Sequence, residues 1–233
     1  MQKKILTSGI IVIIIIAVCL TLQHYISKVY PVLLQYPLSD KTIIIDPGHG
    51  GKDPGKVAVY GKDEKALNLE VALKLKSLLK MMGATVVMTR EDDDGLYLKD
   101  SDNMMWIKQG DMIKRRKIIQ SSAGEMMVSI HMNSYPDTSI FGAQTFYLAG
   151  DPGSEKLGKL MQEELVAVSF KYNKRQAKEN NSYFILKENN MPSVVVECGF
   201  LSNIEEEKML NNADYQEKLA WALLKAITRY YYE

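Results

Sequence analysis

Cysteine is nearly absent, with two in 233 residues. That excludes a disulfide-built scaffold and a zinc site made from four cysteines. Histidine is almost as scarce, at three, so every site built on imidazole can be enumerated. An excess of one charge is lacking too. Lys and Arg number 29 against 28 Asp and Glu, a formal net charge of +1, which argues against nucleic-acid binding and its need for a basic face. Beyond the N-terminal region there is no internal repeat and no low-complexity tract. What the chain does have is a large apolar share, 46%, alongside 24% charged residues. Those proportions belong to a folded core rather than to disorder, and the length suits one domain of ordinary size.

Long uncharged runs are confined to one place. After the basic Lys3-Lys4 comes Ile5 to Leu22, uncharged and strongly apolar. As a helix these residues span about 27 Å, near the roughly 30 Å of a bilayer core. Residues 1–22 therefore read as a signal anchor, with the lysines on the cytoplasmic side and the rest of the chain beyond the membrane. A cleaved signal peptide is the alternative, although the run is long for one and no Ala-x-Ala site follows it. Lipid attachment at Cys19 would want a small residue where Val18 stands. Residues 23–40 read as a tether, because Pro31 and Pro37 interrupt a helix and no apolar period survives. Cys19 lies inside the span and is no partner for Cys198.

From Lys41 onward the pattern alternates. Strands are expected at 42–45, 84–88, 126–130, 144–148 and 193–196, and helices at 64–82, 110–122, 154–171 and 214–230. The fold class is α/β: a single domain over 41–233, with a mostly parallel or mixed sheet of about six strands and helices on both faces. In such folds functional groups sit beyond the carboxyl ends of the strands.

That rule makes two histidines informative. His49 follows the first strand in Asp46-Pro47-Gly48-His49-Gly50-Gly51, and His131 ends another in Ser129-Ile130-His131-Met132-Asn133. His24 lies in the tether and drops out. Glycines at 48, 50 and 51 let backbone and solvent approach His49, as a ligand site needs. Two histidines and a carboxylate make a hydrolytic zinc site with an open position. The helix from Glu64 supplies the carboxylate. Its apolar stripe is Leu67, Val71, Leu75, Leu78 and Met82, and three residues back from Leu67 is Glu64, centred on the buried face. Glu70 lies about 120° away, on the flank. The helix dipole alone would also favour an acid at position 64. Glu197 draws attention for a similar reason: it ends the apolar run Ser193-Val194-Val195-Val196, where it either points at the same rim or faces solvent.

These segments, taken in order, resemble the zinc-dependent N-acetylmuramoyl-L-alanine amidases. The resemblance rests on Asp46-Pro47-Gly48-His49-Gly50-Gly51-Lys52-Asp53-Pro54-Gly55, on Glu64-Lys65, on Ser129 to Asn133, and on Glu197-Cys198-Gly199-Phe200-Leu201-Ser202-Asn203. It is collinear over about residues 41–231. Tyr36-Pro37-Leu38-Ser39, the compact size and the N-terminal segment are most similar to the germination-specific, spore-cortex amidases of endospore-forming bacteria. The resemblance implies zinc on His49, Glu64 and His131, with Glu197 as the catalytic carboxylate. It also implies peptidoglycan as substrate, cut between the lactyl group of N-acetylmuramic acid and L-alanine. In that group the cut precedes closure of muramic-δ-lactam, which a peptidoglycan deacetylase completes, in the forespore intermembrane space. Asp46 and Asn133 are expected around the ligands, orienting the histidines or the substrate. Arg115 resembles a family arginine and reads as structural.

Departures from the family pattern are small. Ser134 replaces a frequent Ala and Cys198 a frequent Val. Only eight residues separate Asn133 from Gly142, which leaves no room for the autoinhibitory helix that some relatives carry there. Control must then come from elsewhere. Met104-Met105-Trp106, within residues 102–112, reads either as a loop folded onto the core or as a docking surface for an activating extracytoplasmic protein. A catalytically weak, membrane-anchored peptidoglycan-binding relative is the alternative to an enzyme.

Overall fold

The computed structural model describes residues 2–33, 36–96, 103–169, 172–187 and 189–233. It divides into two units, Met1–Pro37 and Leu38–Glu233. The first is one helix, α1 (Gln2–Leu33), whose Ile11–Lys28 stretch is long and apolar enough to cross a membrane. The break expected at residue 23 does not occur. No proline or glycine lies between Gln23 and Tyr30, and Pro31 falls in the last turn, where it removes one backbone N–H near the helix end and leaves the preceding turns intact. The tether expected up to residue 40 is also shorter at its far end. Leu38 is fully buried, and its N–H donates to the Met82 carbonyl at 2.9 Å, so chain packing in the second unit begins there.

The second unit is a six-stranded mixed sheet. Its strands are β1 (Thr42–Pro47), β2 (Thr85–Met88), β3 (Met126–Asn133), β4 (Gln144–Tyr147), β5 (Lys178–Glu179) and β6 (Ser193–Phe200), in the order β2-β1-β3-β6-β4-β5. The first four in that order run parallel, and β4 pairs antiparallel to β6. The helices are α2 (Glu64–Met81), α3 (Met104–Ser121), α4 (Pro152–Val168), α5 (Ile204–Leu210) and α6 (Ala213–Tyr232).

The period-two alternation of the strands sorts their side chains into two cores. Ile43, Ile45, Val128, Ile130, Val194 and Val196 join the large core with the apolar faces of α2, α4 and α6. Ile44, Met127 and Val195 face the other way, against Ile119 of α3 and Ile185-Leu186 of a single 3-10 turn (Phe184–Leu186). Continuing that second face toward the carboxyl ends of the strands, every step becomes polar. Asp46 lies opposite Ser129 in the β1–β3 register, and His131 lies opposite Glu197 in the β3–β6 register. The sheet thus turns an apolar face into a polar rim within two residues. A register irregularity between His131 and Asn133 marks the same rim.

Two elements had no counterpart in the sequence reading. β5 is a two-residue exposed edge pair without an apolar pattern. α5 does carry a signal: Asn203 caps it by accepting from the Glu206 N–H at 3.1 Å, and three glutamates fill its first turn, as a helix start favours. The segment 134–143 holds no helix.

Candidate metal centre

The loop after β1 is clamped from below by two buried arginines. Arg115 donates to Asp46 Oδ1 and to the Pro47 carbonyl, each at 2.6 Å, and to the His49 carbonyl and Asp111. Arg90 donates to the carbonyls of Pro47, Gly48 and Lys65 at 3.0, 2.9 and 2.7 Å. Both are almost fully buried. Asp46 completes the clamp, accepting from Thr89 and Ser129 at 2.6 and 2.7 Å. Burial alone would raise the Asp46 pKa, but the Arg115 guanidinium and the two hydroxyls outweigh it and hold the pKa at about 2. Asp46 therefore touches neither histidine. Its link to His49 runs through Arg115, which donates to the His49 carbonyl.

The clamp holds His49 in a left-handed backbone conformation, φ 60°, which non-glycine residues rarely adopt without compensation. Its side chain is fixed at both ring nitrogens. Nδ1 lies 2.7 Å from Asp53 Oδ2 and Nε2 lies 3.1 Å from Glu64 Oε1. Burial would lower the His49 pKa, but the two carboxylates outweigh it and raise it to about 9. The same pairing holds Asp53 down at about 2 against its own burial.

Glu64 opens α2 and is 5% exposed. Its Oε1 also meets His131 Nδ1 at 2.9 Å and accepts from the Met132 N–H at 3.2 Å, while Oε2 accepts from the Lys56 N–H at 2.8 Å. Burial opposes its ionisation, yet the two imidazoles hold its pKa far below the carboxylate range. Gly55, at φ 68°, leaves the space that Glu64 and His49 occupy; a Cβ there would lie 2.5 Å from Glu64 Oε2. Glu70 points elsewhere, pairing with Lys62 and with Gln216 at 2.8 Å.

His49, Glu64 and His131 thus bring one ligand atom each to within 4.8 Å of one another. Whether they suit a divalent metal can be judged from donor chemistry. Two imidazole nitrogens and one carboxylate oxygen are the donors of hydrolytic zinc sites, and a tetrahedral ion with bonds of about 2.0–2.1 Å keeps its ligand atoms roughly 3.3 Å apart. The observed nitrogen–oxygen separations are 3.1 and 2.9 Å. The residues fit, with one position left for water or substrate.

Glu197 stands beside this group, opposite His131 in the sheet and 7% exposed. Burial, together with the nearby Glu64 charge, pushes its pKa up despite His131. Its Oε1 accepts from the Tyr183 hydroxyl at 3.0 Å, whereas its Oε2 is buried with no hydrogen-bond partner among the described residues. A cavity of about 200 Å³ opens over the histidines, lined in part by Lys108 and Met112 of α3 and by Tyr183 and Phe184. Asn133 is not drawn into the group; its side chain accepts from the Ser134 N–H at 2.8 Å and its carbonyl from the Leu201 N–H. Asp53, Arg90 and Tyr183 were not singled out from the sequence. Asp53 sits in the glycine-rich segment four residues after His49, so spacing alone could have found it; the other two carry no local signal.

The sequence profile of the N-acetylmuramoyl-L-alanine amidases matches residues 43–229. The germination-specific N-acetylmuramoyl-L-alanine amidase of Bacillus subtilis is 39% identical over 198 residues, covering 84% of this chain and 82% of that protein. Among solved structures, the CwlD amidase from Clostridioides difficile, in complex with the GerS lipoprotein, superposes with a TM-score of 0.80 at 42% identity. It covers 83% of this chain and 99% of that one. The catalytic domain of the Paenibacillus polymyxa amidase CwlV gives 0.70 at 31%, covering 82% and 98%.

Proposed function

The chain belongs to the N-acetylmuramoyl-L-alanine amidase family, and from that premise we propose that it is a zinc-dependent hydrolase of the lactyl–L-alanine amide in spore-cortex peptidoglycan. The observation that carries this reading is the convergence of His49, Glu64 and His131 next to a buried carboxylate oxygen, Glu197 Oε2, that has no partner among the described residues. Zinc held by the three ligands supplies Lewis acidity toward the amide carbonyl and the attacking water. The chain's own residues do the rest. Glu197 Oε2 takes a proton from the water as its oxygen bonds the carbonyl carbon. The C–N bond then breaks, and Glu197 returns the proton to the departing amine of L-alanine. The products are a muramic lactyl carboxylate and a free peptide amine. Asp53 orients His49 through Nδ1, as hydrogen-bonded carboxylates do for ligating histidines. A pure binding role gives no use to a buried carboxylate beside the ligand group with one oxygen held by Tyr183 and the other without a partner among the described residues.

The cortex setting is supported by the likeness to a relative named for germination. There the product would pass to a deacetylase and on to muramic-δ-lactam. The apolar α1 supports an anchored, extracytoplasmic placement, on the forespore membrane in a spore-former. Control by a docked protein is part of the same proposal. Met104, Met105 and Trp106 form the first turn of α3 rather than a loop folded onto the core, and are 41%, 69% and 63% exposed. They precede Lys108 and Met112 of the cleft on the same helix; Asp102 lies outside the described residues. The CwlD neighbour is held in complex with a lipoprotein, which supports a partner of that kind here.

The full chain, purified in detergent and incubated with cortex muropeptides, tests the activity. Mass analysis is expected to show peptide release that a chelator abolishes and zinc restores. Release that is indifferent to chelator would contradict the metal role.

A further inference from the structure

Glu197 is useful as a base only if one of its oxygens is presented and kept bare. A carboxylate at the end of a strand can rotate about its last bond, exchanging the two oxygens. Here they are not equivalent. Oε1 accepts from the Tyr183 hydroxyl at 3.0 Å, and Oε2 accepts from nothing among the described residues. Gln144, the cross-strand neighbour of Glu197, does not compete. Its side chain is engaged with Arg175 at 2.9 Å and with the Gln176 carbonyl at 3.1 Å.

Tyr183 itself is firmly seated. The next residues, Ile185 and Leu186, are buried against Ile44, Met127 and Val195. Phe184 lies under the Arg116 guanidinium of α3, 4.9 Å from the ring centroid. The Tyr183 ring packs on Phe146 of β4 at 5.5 Å. The ring contact with Phe146 and the anchoring of residues 184–186 place the phenol oxygen within hydrogen-bond reach of Glu197 Oε1.

We infer that Tyr183 is a positioning residue for the hydrolysis: its hydroxyl locks Glu197 through Oε1 and so commits Oε2 to the proton transfer. The inference rests on the reading of Glu197 as the base. One donor is also a suitable number. A buried carboxylate with no hydrogen bond is costly, whereas several donors would remove its basicity.

The test is a double-mutant cycle on the full zinc-loaded chain with Tyr183→Phe, Glu197→Gln and both. Phenylalanine keeps the ring and removes only the hydroxyl. Tyr183→Phe is expected to retain zinc and melting temperature, to leave KM unchanged, and to lower kcat by roughly 10- to 100-fold, the scale of a misplaced catalytic group. In the Glu197→Gln background the same substitution is expected to change nothing further. Difference infrared spectra give a readout without turnover: the carboxylate band that Glu197→Gln removes is expected to shift in Tyr183→Phe. Equal losses in both backgrounds would show that the phenol acts on substrate directly and would overturn the inference, as would an unchanged kcat or an unshifted band. If Glu197→Gln alone kept wild-type activity, the assignment of the base would fail first, and this inference with it.

Discussion

Gly48 and His131 share one space. A Cβ on Gly48 would fall 2.1 Å from Cε1 and 2.2 Å from Nε2 of His131, so the first strand's turn can carry no side chain while His131 stays where it is. Gly48→Ala is therefore expected to push His131 off Glu64 and weaken zinc binding by roughly 10–100-fold, as loss of ligand support does elsewhere. Calorimetric titration of zinc measures it. Wild-type affinity in Gly48→Ala would mean that His131 can move without consequence.

The ligand set gives a sharper contrast. His49→Ala, Glu64→Ala and His131→Ala are each expected to lower zinc affinity by well over tenfold, whereas Glu70→Ala leaves it unchanged. Glu64 lies between two imidazoles; Glu70 pairs with Lys62 and Gln216. Zinc content after dialysis reads this directly. Loss of metal in Glu70→Ala with retention in Glu64→Ala would contradict the assignment.

Asp46 should matter to folding rather than to chemistry. Asp46→Asn leaves Arg115 buried with Asp111 but without its second carboxylate, and is expected to cost about 3 kcal/mol at pH 7. The pH dependence follows from the depressed pKa. The group is charged in the folded state down to about 2 but only to its ordinary 3.8 when unfolded. Its contribution is complete above pH 4 and is lost as pH falls toward 2, about 2 kcal/mol in all. Asp53 and Glu64 are held low as well, so urea unfolding followed by the two tryptophans, Trp106 and Trp221, should show a fall in both proteins that is about 2 kcal/mol smaller in Asp46→Asn than in wild type.

The sequence was most legible where a residue broke a local pattern. Glu64 on an apolar stripe and Glu197 on an apolar strand are anomalies visible within one turn or one strand, and both stand at the rim. The strand–helix alternation likewise foretold the sheet. Tyr183 and Arg90 break no pattern; Glu197 lies 14 residues from Tyr183, and the Pro47, Gly48 and Lys65 carbonyls lie 25 or more from Arg90, so only the fold shows what they hold. Asn133, expected to orient the histidines or the substrate, is not drawn to the histidines. It sits two residues after His131, but the irregular register there turns its side chain onto Ser134. The helix through residues 23–33 was missed because proline was given more weight than its place in the last turn warrants.

In the proposed division of labour, three residues hold metal and Glu197 moves the proton. Glu197→Gln tests it in one sample, with zinc content and muropeptide hydrolysis measured on the same protein. Full zinc occupancy and a rate lowered by about 10²–10⁴ are expected. Hydrolysis within roughly tenfold of wild type, below the range for loss of a general base, would contradict it.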